Sequence, residues 1–131
     1  MKLLPKILLI VLIAFVTVAL LLAILLGSFR YVYNYQKHLV ISEASSDGQY
    51  ELKIYQIGDP DWPFGHTHCR FVLSDNGKTI VKEDFDIADD GCIATPENFT
   101  VRWFADSVKI TVRGQEQPDM EHILCFDGQT K

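Results

Sequence analysis

The stretch Tyr50-Glu51-Leu52-Lys53-Ile54-Tyr55-Gln56-Ile57 decides the fold. Successive side chains of a strand point to opposite sides, so Tyr50, Leu52 and Ile54 share one face and Glu51, Lys53 and Tyr55 the other. This is a half-buried strand, preceded by the turn-forming cluster Ala44-Ser45-Ser46-Asp47-Gly48. Downstream the same period of two recurs. A loop over Gly58 to Thr67 leads to a second strand, His68 to Ser74, with Cys69, Phe71 and Leu73 on its apolar face. Asp75-Asn76-Gly77-Lys78 follows, and Asn-Gly accepts the positive φ angles of a tight type I′ turn. It predicts a hairpin into a third strand, Thr79 to Ile87, whose Val81, Phe85 and Ile87 point inward. Further strands are predicted over Phe99 to Phe104, Val108 to Arg113 and Met120 to Phe126. About six short strands without a soluble helix imply an all-β antiparallel meander, sandwich or small barrel.

Upstream the pattern is of another kind. Ile7 to Leu26 is twenty consecutive residues without a charge, with only Thr17 polar. A helix of that length covers roughly the 30 Å hydrocarbon core of a bilayer and satisfies its own backbone hydrogen bonds there. A cleaved signal peptide is the competing reading, but its apolar region usually runs about 7 to 15 residues, and Leu25-Leu26-Gly27 is a poor cleavage site. Phe29, Arg30, Tyr31, Tyr33 and Tyr35 behind the run suit a headgroup-level aromatic belt. The expected division is a cytoplasmic N-terminus at 1–6, a transmembrane helix at 7–29, a juxtamembrane connector at 30–44, a β domain at 45–127 and a tail at 128–131.

Charge divides at the same place. Residues 1–42 carry Lys2, Lys6, Arg30 and Lys37 and no acid, whereas 43–131 carry eight Lys and Arg against all 17 Asp and Glu. The halves are therefore +4 and −9, making the −5 of the chain. So acidic a domain is unsuited to nucleic acid, whose binding rests on neutralising phosphates, and is repelled by anionic lipid. Lys2, Lys6 and the terminal amine precede the span, and Arg30 and Lys37 follow it, which by the positive-inside rule places the N-terminus in the cytoplasm. The expected location is the cell membrane, single-pass, with the domain extracytoplasmic.

Two motifs carry a resemblance. Ser46-Asp47-Gly48-Gln49-Tyr50 and the run Val101-Arg102-Trp103-Phe104-Ala105-Asp106-Ser107-Val108-Lys109-Ile110 resemble a blade of TolB-like β-propellers, although the chain is too short for several blades. They are more similar to an uncharacterised family of short bacterial proteins with one N-terminal span and a small β domain. These share a D-G-x-Y strand start, an aromatic loop and a V-x-W-x-x-D-x-V-x-I hairpin. The resemblance covers Ser46 to Phe126. It implies architecture, and neither an activity nor a functional residue.

Candidate chemistry is sparse. Three cysteines, Cys69, Cys92 and Cys125, lie in a domain placed outside the cytoplasm, where one disulfide is permitted. Cys69 with Cys92 is the pair nearest in sequence, but free thiols packed as small hydrophobes are the preferred expectation. His66 and His68 stand two apart, as strand residues sharing a face do, and with Asp59 or Asp61 could hold Zn²⁺ or Cu²⁺. Without a second ligand pair the motif is weak, and no cofactor is expected. Asp84, Asp86, Asp89 and Asp90 lack the spacing of a Ca²⁺ loop and read as a solvated acidic face. Asn98-Phe99-Thr100 fits a glycosylation acceptor.

The loop Gly58-Asp59-Pro60-Asp61-Trp62-Pro63-Phe64-Gly65 is the least explained segment, and Trp62-Pro63 is a candidate cis bond. Its Trp62 and Phe64 either fold back as a lid over the open end of the sheet, the simpler expectation, or stand exposed as a contact patch. No phosphate loop, nucleophile elbow or H-E-x-x-H motif is present. The expectation is a non-enzymatic protein-interaction module held at the lipid bilayer, its protein partner unknown. Two alternatives stand beside it: a membrane-anchored immunity-type protein neutralising a toxin, and a metal- or redox-sensing domain.

Overall fold

A computed structural model of the chain describes residues 3–131; Lys2, one of the charges behind the expected orientation, lies outside them. Helix α1 spans Leu3–Tyr35 and buries none of its residues against the domain. At 1.5 Å per residue its 33 residues extend about 50 Å, long and apolar enough to cross a membrane. Its one mid-run polar group is internally satisfied, because the Thr17 hydroxyl donates to the Ile13 carbonyl at 2.8 Å. The helix outruns the expected 7–29 and stops one residue short of a strand.

Seven strands follow rather than six: β1 (Lys37–Ala44), β2 (Tyr50–Ile57), β3 (Thr67–Asp75), β4 (Lys78–Ile87), β5 (Phe99–Trp103), β6 (Ser107–Gly114) and β7 (Gln117–Cys125). Each pairs antiparallel with its sequence neighbour, giving one sheet ordered β1-β2-β3-β4 and another ordered β5-β6-β7. The added strand is β1, within the segment expected to be a connector. Leu39 pairs with Tyr55 and Ile41 with Ile54, so Val40 is an extra residue. That bulge breaks the alternation by which a strand is recognised. The predicted β3–β4 hairpin is present, with φ of 46° at Asn76 and 84° at Gly77 as a type I′ turn demands.

The inner faces of the two sheets share one core, in which Leu52, Ile54, Phe71, Leu73, Val108, Ile110, Val112 and Leu124 are wholly buried. Phe71 stacks on Phe85 at 3.9 Å between ring centroids, and Phe85 meets Phe99 edge-on across the sheets. Polar pairs join the sheets at both margins. Trp103 Nε1 donates to Glu43 at 2.9 Å on the β1–β5 side, and His122 Nδ1 lies 3.2 Å from Glu83 on the β4–β7 side. The β2–β3, β4–β5 and β6–β7 connections and the start of β1 gather at the end nearest α1, while the remaining turns lie at the far end.

Candidate functional site: the helix–domain junction and its apolar surround

The end of α1 is closed by the β2–β3 loop. Gly58 N donates to the Gln36 carbonyl at 2.7 Å and Asp59 N to the Tyr33 carbonyl at 2.6 Å, while the Tyr33 hydroxyl donates to the Pro60 carbonyl at 3.3 Å. Carbonyls that a helix end leaves orphaned are thus taken up by the domain. Gly58 is at φ +68°, and a Cβ there would strike the Tyr33 carbonyl oxygen and lie 2.6 Å from the Asn34 carbonyl carbon. Only glycine lets the two backbones approach this closely.

The rest of the loop is pinned from within. Asp61 N donates to the His66 carbonyl at 2.9 Å, Gly65 N to the Asp61 carbonyl at 2.8 Å, and Gly91 N to the Gly65 carbonyl at 3.1 Å. The Trp62-Pro63 peptide is cis. At the tip Trp62 is 86% exposed and Phe64 70%, so neither folds back as the expected lid. Ile93 and Leu39 are also exposed nearby. Those two, with Val40, Ala94 and Pro96, line a groove of about 400 Å³ between β1 and the segment leading to β5.

His68 sits between two carboxylates. Its Nδ1 lies 2.6 Å from Asp86 Oδ1 and its Nε2 2.9 Å from Asp61 Oδ1, so each ring nitrogen faces an acceptor. Partial burial opposes the charged ring, but the hydrogen bonds to Asp61 and Asp86 outweigh it and raise the pKa. Through these two contacts the ring ties the loop to β4, most firmly when it is protonated and donates from both nitrogens. His66 is exposed and outside this cluster, so the sequence pair His66 and His68 is not brought to one ion. No group of three His, Cys, Asp or Glu side chains is arranged to hold a metal ion among the described residues.

All three cysteines are free. Cys69 faces the core while Cys92 is exposed, so the Cys69–Cys92 bridge weighed from the sequence is absent. Burial, with Asp86 adding to it, pushes the Cys69 thiol up to about 12. The expected acidic face is also divided. The Arg70 guanidinium beside Asp84 holds that carboxyl below its ordinary value, Asp86 serves His68, and Asp89 is buried.

Three buried polar residues organise this end of the domain: Gln56 and Thr67, which sequence reading passed over, and Asp89, which it placed on a solvated face. Gln56 donates to the Gly58 carbonyl at 2.9 Å and accepts from Ala94 N at 2.8 Å. The Thr67 hydroxyl donates to the Cys92 carbonyl at 2.6 Å. Asp89 accepts from Gln115 N at 2.9 Å and from Asn98 Nδ2, which also donates to the Arg113 carbonyl. Asn98, the glycosylation candidate, is therefore a half-buried bracing residue. Gln56 was detectable in principle, since it continues the Leu52–Ile54 inward parity beside a loop. No protein-family model, curated protein or solved structure matches the chain.

Proposed function

We propose that the chain is a single-pass membrane protein whose β domain stands outside the cytoplasm and acts, without catalysis, as a protein-interaction module. The observation that carries this reading is the groove beside β1, because it joins an apolar trough to a free strand edge. A partner strand added at such an edge gains main-chain hydrogen bonds and seats alternate side chains in the trough. Of the polar residues that line the groove, Gln56 is bonded to Gly58 and Ala94, while His38 and Asp59 at its wall offer further polar contacts to a partner.

A photoreactive phenylalanine in place of Leu39, in the full chain in its native membranes, should give one discrete protein adduct. The adduct should vanish in Ile93→Asp and should not form from a probe in place of Arg102 on β5. Adducts to lipid alone, or to a second copy alone, overturn the reading. The immunity-type reading shares the groove and differs in the partner: a basic toxin would be drawn to the −9 charge of residues 43–131. A deletion strain with unaltered sensitivity to neighbouring cells would exclude it. The sensing alternative draws no support from His68, whose nitrogens are both engaged.

A further inference from the structure

We infer that the Trp62–Phe64 tip is a lipid-docking element, seated in the headgroup layer of the leaflet from which α1 emerges. The inference rests on the membrane-anchored reading and assigns a role to an exposed apolar tip that the groove does not use. The apolar run ends at Leu26, so Tyr33, seven residues on, lies about 10 Å beyond the hydrocarbon edge. Headgroups occupy roughly the first 5–8 Å of that interval. The loop is bonded to Tyr33 and Gln36 and so is held beside the last helical turns, within a side chain's reach of the headgroup layer.

What the loop presents suits that layer. Tryptophan has an apolar body and a polar N–H, the combination that settles at membrane interfaces. On the helix itself Phe29 and Tyr31, three and five residues past Leu26, are exposed at the level of the headgroups. Unlike a mobile hydrophobic loop, this one is closed by its own hydrogen bonds and by the Asp61–His68 contact. Little ordering cost remains when the aromatics enter lipid. Asp59 and Asp90 stand exposed at this end together with Arg30 and Lys37, a balance of charge that a zwitterionic surface fits. With the span as one attachment and the tip as a second, the domain would be held at a fixed orientation, with the groove beside β1 turned in one direction.

The test uses the full chain reconstituted in phosphatidylcholine vesicles, with and without bromine on acyl carbons near the headgroup. The chain has two tryptophans; Trp103 reports from β5, where it is bonded to Glu43. Brominated lipid should quench the wild-type emission, and that quenching should be lost in Trp62→Phe, a substitution at an exposed site. Emission that bromine leaves unquenched in both proteins, with α1 retained through alkaline extraction, overturns the docking and leaves the anchored reading standing. Release of the protein by alkaline extraction overturns both. A blue-shifted Trp62 that bromine does not quench would place it against protein, a partner or a second copy, and overturns the docking.

Discussion

His68 shows how one side chain sets the state of a loop. With carboxylates on both nitrogens its pKa stands above the ordinary value of about 6.5. A group whose pKa is raised by folding stabilises fully below its unfolded value and loses that contribution as pH rises through the folded one. We therefore expect a histidine NMR titration to place His68 above about 6.5, and Asp86→Asn to lower it. Proteolysis within residues 58–66 should quicken as pH rises through the His68 midpoint; a cleavage rate independent of pH would contradict this. The cysteines differ as sharply. A thiol reagent at neutral pH should label Cys92, which is exposed, and spare Cys69 until denaturant is added, as mass spectrometry would read directly.

At the scale of elements, the decisive contact is between α1 and the β2–β3 loop. Gly58→Ala would force a Cβ into the Tyr33 carbonyl and a non-glycine residue to φ +68°. A cost of about 1–3 kcal/mol is expected, borne by the junction. Protease cleavage between Tyr35 and Lys37 should rise while β3 and β4 stay protected from hydrogen exchange; unchanged cleavage would mean that the junction does not depend on this glycine. The core should behave differently. Phe71 is wholly buried and stacks on Phe85, and Phe71→Ala should cost about 3–5 kcal/mol, read as a lowered urea midpoint for the whole domain. The elements with plain alternation, β2, β3, β4 and β6, were legible because buried apolar residues recur at every second position along most of one face of each. β1 was not, because its bulge at Val40 puts two neighbours, Val40 and Ile41, half-buried together.

For the whole molecule, the anchored reading makes one demand that no local measurement meets. A topology reporter fused after Lys131 should be active only outside the cytoplasm. Activity inside would reverse the orientation and return the three cysteines to a reducing compartment. The sequence by itself determined an uncharged apolar run long enough to cross a bilayer, the change of period from 3.6 to two, the Asn76-Gly77 turn and the inward residues of most strands. These depend on local spacing and composition, which the chain carries wherever it lies. Only the tertiary structure decided that Gly58 closes the helix end, that His68 is spent between Asp61 and Asp86, and that Trp62 and Phe64 stand exposed beside the helix. The bonds involved join residues between seven and 26 positions apart, and no local pattern specifies which distant backbone or carboxylate a side chain will meet.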